Sequence, residues 1–231
     1  MRIDLVWLSE SETNDPPLWH EGNIFTTRSD AKTITSIIEL NLPSSDADGW
    51  LFWHEKNKLP SVNILYEMLN SSDDIWHIGL LLGTGGQPDF IDFVSPTWML
   101  NRDPDPNIEA TSWRLSLRAC LVRSEVLRQL GGPLDGFDSL DAAGLEMGLR
   151  YIKHGAFIRH CPQLVRNIEP GNEITISTAD QLRIISAVYG KKWLYWAGLR
   201  ATLKNRASLP EVIKGITRSK DFLPNRLEQN F

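Results

Sequence analysis

The sequence predicts an α/β domain, and three observations predict it. Ile3, Leu5 and Trp7 alternate along residues 1–9, as in a strand. Val62, Leu65, Met68 and Leu69 fall at helical spacing over 61–70, and IWHIGLLL at 75–82 is apolar enough for a strand buried on both faces. Strand, helix and buried strand in that order suggest a parallel layer covered by helices. The third observation is bulk: 231 residues, 42% hydrophobic and 23% charged, suit one domain with a sizeable core.

The remaining elements follow along the chain. Pro16-Pro17 interrupts regular structure. TITSIIELNL at 33–42 is rich in β-branched residues and predicts a second strand. Residues 44–60 hold a turn, the apolar run Trp50 to Trp53, and a charged loop closed by Pro60. Prolines and aspartates make 101–111 a loop. Residues 113–122 predict a strand, with Trp113, Leu115 and Leu117 on one face and Arg114, Ser116 and Arg118 on the other. Ser124 can cap a short helix that Gly131-Gly132 ends. Leu145, Leu149 and Ile152 stripe a helix from Asp141 to His154, and 156–160 predict a short strand. Thr178 and Gln181 form a capping box for a helix that Gly190 ends. Two basic helices follow, over 192–205 and 210–219, so the expected division is a domain over 1–190 and a helical tail over 191–231.

Composition excludes several classes. The net charge is −5, with −11 on the first 190 residues and +6 from Lys191 onward. An acidic body does not suit nucleic acid, whose binding rests on Lys and Arg neutralising phosphates. No apolar run is long enough to span a bilayer, and the opening stretch is too short for a signal-peptide core, so a cytoplasmic protein is expected. Cys120 and Cys161 lie outside any CxxC and are expected as buried thiols. The five histidines form no HExxH or zinc-spaced cluster.

Three passages then stand out: ACLVRSEVLRQLGG at 119–132, Phe137-Asp138, and LEMGLRYIKHGAFIRHCP at 145–162. In order and spacing they resemble the C-terminal half of family 2 glycosyltransferases of the GT-A fold, and the run from Asp46 to Leu82 resembles that family's segment around its metal motif. The resemblance implies a mixed sheet flanked by helices, with a C-terminal helical appendage and a shortened N-terminal half. It also implies sugar transfer from a nucleotide-diphosphate donor to a hydroxyl on a glycan or lipid-linked acceptor, in polysaccharide or glycoconjugate assembly. Such transfer needs positive charge on the leaving diphosphate, which manganese or magnesium would supply, and a carboxylate to take the acceptor's proton. No organic cofactor is expected.

The residues depart from the family pattern at each of its chemical positions. The metal motif after the Trp50–Trp53 run reads His54-Glu55-Lys56, whereas a literal DxD, Asp46-Ala47-Asp48, precedes that run. The acidic pair ahead of Glu146 reads Ala143-Gly144, and the late histidine position reads Asn167.

Each candidate therefore has two readings. Asp46 and Asp48 are the candidate metal ligands, although Asp-x-Asp-Gly is also ordinary turn chemistry. Asp141 and Glu146 are the candidate bases; the first also suits a helix cap and the second an i,i+4 pair with Arg150. His54, Glu55 and Lys56 are the candidate donor contacts, Lys56 serving as a fixed charge in place of a cation, against a solvated loop. Trp113, Asp135 and Asp138 are the candidate acceptor contacts, against a core aromatic and exposed loop acids. Gly83-Thr84-Gly85-Gly86 suggests a phosphate loop but lacks GK[ST]. Trp19, Trp50, Trp53 and Trp98 are further candidates for stacking on sugars, core packing being the commoner fate. Trp193, Trp196, Leu199 and Leu203 share one face of the first basic helix, which either docks on the domain or touches an anionic membrane over 192–206. The rival to an enzyme is a non-catalytic glycan- or partner-binding module that keeps the fold.

Overall fold

A computed structural model describes residues 1–10, 15–80, 90, 105–165 and 176–220. The chain forms an α/β structure around a seven-stranded mixed sheet. In chain order the strands are β1 (Ile3–Ser9), β2 (Ile24–Arg28), β3 (Gly49–His54), β4 (Ile75–His77), β5 (Ala110–Thr111), β6 (Ala119–Arg123) and β7 (Ile158–His160). The helices are α1 (Ala31–Asn41), α2 (Val62–Asn70), α3 (Ser124–Leu130), α4 (Leu140–Lys153), α5 (Thr178–Tyr189), α6 (Lys191–Leu203) and α7 (Leu209–Lys220). The sheet order is β2-β1-β3-β6-β4-β7-β5. β2, β1 and β3 run parallel, β6 is antiparallel to both β3 and β4, and β4 and β7 are again parallel.

The strand periodicity of two splits the core into two layers. Val6, Leu8, Trp50, Phe52 and Val122 face one side and meet Ile34 and Ile38 of α1, Leu127 of α3 and Tyr151 of α4. Ile3, Leu5, Leu51, Trp53 and Leu121 face the other side and meet Leu65, Met68 and Leu69 of α2. Full burial of a side chain of this size contributes about 1.5–3 kcal/mol, so these two layers are the main stabilising mass. A third cluster joins Leu145 and Leu149 of α4 to Ile184 of α5. A fourth joins Leu182 and Ile185 of α5 to Leu194 and Ala197 of α6 and Val212 of α7.

Three local expectations are corrected. Residues 33–42 belong to a helix, α1. Asp30 caps it by accepting from Thr33 N, and Ala31, Ile34 and Ile38 recur at helical spacing toward the core. The second strand is instead β2, at 24–28. Only the end of 113–122 is a strand. Ser112 and Ser116 hydroxyls accept from Arg114 N and Arg118 N, replacing ladder bonds with local ones. α4 lies directly on this irregular segment because Gly144 and Gly148 leave room for it; a Cβ at Gly144 would overlap Leu115 O and one at Gly148 would overlap Trp113 O. Finally, the cap of α5 is Ser177, accepting from Asp180 N, while Gln181 donates to Ile176 O rather than closing a box.

Candidate functional site

Ligands of open α/β sheets bind outside the carboxyl ends of parallel strands where the strand order reverses. Here the reversal lies at β1, which has β2 on one side and β3 on the other. Its crest is formed by Ser9 and Glu10 at the end of β1, and by His54, Glu55 and Lys56 at the end of β3.

Glu55 clamps the two strand ends together. Its backbone N–H donates to Leu8 O at 2.9 Å, and its carboxylate accepts from Glu10 N at 3.0 Å and Ser9 Oγ at 2.6 Å. The turn after β3 is fixed as well: Asn57 N donates to His54 O, Trp53 Nε1 donates to Asn57 O, and Asn57 Nδ2 donates to Arg118 O.

His54 sits beneath this turn, 3% exposed. Its Nδ1 accepts from Lys56 N at 3.3 Å, which assigns the ring proton to Nε2 in the neutral form. Burial, and then the nearby Arg118 charge, hold its pKa below the ordinary histidine value, so the ring is neutral at pH 7. Nε2 has no hydrogen-bond partner, and Glu10 Oε1 lies 3.7 Å away. A buried donor left in this state costs about 1–3 kcal/mol. Lys56 Nζ reaches the same Glu10 oxygen at 2.7 Å. This ammonium lowers the Glu10 pKa, chiefly through the hydrogen bond.

Arg118, just before β6, faces the crest from the other side. Its Nε donates to Asp141 Oδ1 at 3.1 Å and its NH1 group to Ser29 Oγ at 3.5 Å. Asp141 lies in the first turn of α4, whose cap is Ser139. The helix dipole favours a carboxylate there.

A divalent cation takes oxygen ligands, and the carboxylates of the crest are already engaged within the protein. Glu55 already accepts from Ser9 and Glu10, Glu10 is bonded to an ammonium, and among the described residues no three His, Cys, Asp or Glu side chains converge on one point. The literal DxD lies at the opposite end of β3, about 20 Å away at 3.3 Å per residue. Asp48 accepts from Arg2 N at 2.8 Å, and Asp46 pairs with the Arg2 guanidinium at 2.7 Å, which is turn chemistry at the amino end of β1. An open depression lined by Arg2, Asn23, Phe25, Ser45 and Asp46 lies at this end, away from the crest.

The other sequence candidates separate in the same way. Glu146 is 1% exposed and bound in two places to Arg150, with Nε–Oε1 at 2.8 Å. It is part of the packing between α4 and the Gly131-Gly132 turn, since Arg150 also reaches Leu130 O and Gly132 O. Trp113 is buried against α4 and α5. Trp50 and Trp53 are fully buried, and Trp19 donates to Ile3 O while packing on the α2 side. Asp135 is exposed. Asp138 pairs at 3.3 Å with both Arg183 of α5 and Arg218 of α7. Gly83 to Gly86, Trp98 and Asn167 lie outside the described residues. Of the predicted residues, the structure thus brings His54, Glu55 and Lys56 together at one crest and places Asp141 on Arg118, which faces His54. Ser9 and Glu10 were not among the candidates; the signal that finds them is their position at the carboxyl end of the first strand.

The parallel pair β4 and β7 has its own crest. His77 Nε2 donates to Ser112 O at 2.9 Å, and His160 Nδ1 accepts from Gly79 N at 2.9 Å. Burial lowers the His77 pKa to about 4 and also lowers that of His160. Cys161 is buried, and desolvation raises its pKa to about 11, so it is an inert thiol at neutral pH. Cys120 is likewise free, buried and raised.

α6 turns its small residues inward. Leu194, Ala197, Gly198 and Ala201 pack on α5 and α7, whereas Trp193, Tyr195, Trp196, Leu199 and Leu203 are exposed. The face expected to dock on the domain is therefore the outward one. Among the described residues no helix is long and apolar enough to cross a membrane.

No family model matches the chain, and no curated protein does. Among solved structures it is similar to the crystal structure of A197 from STIV, with a TM-score of 0.44 and 13% sequence identity, over 74% of this chain and 97% of that one.

Proposed function

We propose that the chain is a GT-A-like protein related to family 2 glycosyltransferases, which holds the diphosphate of a nucleotide-sugar donor at the crest of β1 and β3. The observation that carries this reading is the pair of donors there, the Lys56 ammonium and the buried Nε2–H of His54, set at the switch point of the sheet. The likeness of 119–162 to the family and the flanking of a mixed sheet by helices support it. Lys56 supplies positive charge to the leaving diphosphate, the part a cation would otherwise play.

In transfer, the acceptor hydroxyl oxygen bonds to the anomeric carbon as the bond to the diphosphate breaks. The proton passes to Asp141, and Arg118 orients that carboxylate through the 3.1 Å bond. Release of nucleoside diphosphate from UDP-, GDP- and dTDP-sugars, followed with and without manganese, tests the activity. Release by the native chain that survives chelation supports the reading. Release that requires manganese contradicts the metal-free site.

A second reading has its own observation. The helix position that would carry an acid is Gly144, where a Cβ would overlap Leu115 O, and Glu146 is spent on Arg150. In that reading the fold serves as a glycan- or partner-binding module. Stabilisation by oligosaccharide with no response to any donor supports it.

The outward face of α6 adds a peripheral contact to either reading. Trp193, Tyr195 and Trp196 are amphipathic aromatics of the kind that settle at a bilayer interface. Lys191, Lys192, Lys204 and Arg206 lie at or near the two ends of the helix and suit anionic headgroups, so the partner of this face is an anionic membrane surface.

A further inference from the structure

We propose that Glu10 is a resident counter-anion: its carboxylate occupies the place that a phosphate oxygen of the ligand takes, and binding displaces it. This rests on the reading of the β1/β3 crest as a diphosphate site. Two donors face Glu10 Oε1, but only one is satisfied. Lys56 Nζ is 2.7 Å away, within a charge-assisted bond, whereas His54 Nε2 is 3.7 Å away, beyond hydrogen-bond reach. The carboxylate therefore leaves a buried N–H without a partner. A phosphoryl group is larger and tetrahedral, and its oxygens diverge enough to meet the ammonium with one and the imidazole with another.

The resident group is also cheap to move. The Glu10 side chain is 52% exposed and the Lys56 side chain 68%, so their pair is of the solvated kind that contributes little to folding. Its backbone stays anchored meanwhile, because the bond from Glu10 N to Glu55 Oε1 does not involve the side chain. Glu55 and Ser9 thus hold the crest in shape while the Glu10 carboxylate swings out. The His54 ring cannot follow it, being packed under the turn and held by the bond from Lys56 N.

The test is calorimetric titration of the full chain with inorganic pyrophosphate and with UDP, GDP and dTDP, for the native protein, Glu10→Gln and Lys56→Met. Glu10→Gln keeps the shape and removes the competing charge. It is expected to tighten binding by about fivefold, while Lys56→Met weakens it by more than about tenfold. Both residues are solvent-facing, and unchanged melting temperatures verify that the variants fold. Native protein that binds a nucleoside diphosphate while Glu10→Gln binds no tighter overturns the counter-anion and leaves the diphosphate site standing. Weaker binding by Glu10→Gln, restored by manganese, makes Glu10 a cation ligand and overturns it too. Absence of binding by the native protein and by Glu10→Gln removes the diphosphate reading and the counter-anion with it.

Discussion

Arg118 and Asp141 are bonded, guanidinium Nε to carboxylate Oδ1 at 3.1 Å, and this contact ties the residue before β6 to the first turn of α4. It places the one carboxylate of that turn beside the crest where Lys56 and His54 stand, because Arg118 O also accepts from His54 N at 2.9 Å. The two halves of the sheet meet at this residue.

Replacing Asp141 by Asn keeps the side chain's shape and removes its basicity. Nucleoside-diphosphate release is expected to fall by about 100-fold or more, the usual contribution of a general base, with donor affinity nearly unchanged. Steady-state release and calorimetric titration read the two quantities separately. Unchanged turnover would remove Asp141 from the proposed chemistry.

Glu146 is expected to matter for stability instead. Glu146→Ala leaves Arg150 charged and buried without its partner, which costs about 3–5 kcal/mol. Adding Arg150→Met removes the stranded charge and restores much of the loss. Urea unfolding of the single and double variants measures both. A stable Glu146→Ala protein that has lost turnover would return Glu146 to the chemistry.

Acid should weaken the fold through His77. Its folded-state pKa of about 4 lies below the ordinary 6.5, so the unfolded chain takes up the proton first as pH falls. Stability is full above pH 6.5 and declines toward pH 4, by about 2 kcal/mol at pH 5 and about 3 kcal/mol at pH 4 from this residue. His54 and His160, also lowered by burial, act in the same direction. His77→Gln still offers a donor to Ser112 O and is expected to flatten the profile in denaturant titrations across that range. A native protein equally stable at pH 7 and pH 4.5 would contradict the buried neutral ring.

The face of α6 predicts partition onto vesicles. Vesicles containing phosphatidylserine should sediment the native chain, and pure phosphatidylcholine vesicles should sediment far less. Trp193→Ser with Trp196→Ser is expected to reduce binding by about tenfold or more, since both rings are exposed and removing them does not touch the inward Leu194 and Ala197. Equal binding to both vesicle types, or no effect of the substitutions, would contradict the assignment.

Much of the scaffold is legible in the sequence, and the exceptions have physical causes. β1, α2, α4 and the helices after Gly190 follow from periodicity and caps, and β3 coincides with the apolar run from Trp50 to Trp53. α1 does not, because Thr33, Ile34, Thr35, Ile37 and Ile38 carry strand propensity that the Asp30 cap and an apolar stripe override. The segment from Trp113 to Arg118 alternates like a strand, yet its serines satisfy neighbouring N–H groups locally and the glycines of α4 press against its carbonyls. At the site, His54 to Lys56 stand out as polar residues at the end of an apolar run. Glu10 does not, since nothing local says that β1 and β3 are neighbours. Asp46 and Asp48 have the spacing of a metal motif and stand at the opposite end of their strand from the crest; a spacing carries no information about which end a residue pair will occupy.

The most direct measurement of the central claim is titration of the native chain with UDP, GDP and dTDP in the presence of excess EDTA, repeated with Lys56→Met. Binding that persists in EDTA and is lost with Lys56 is the predicted result. Binding that appears only when manganese is added, or that is indifferent to Lys56, would contradict a diphosphate site built on that ammonium.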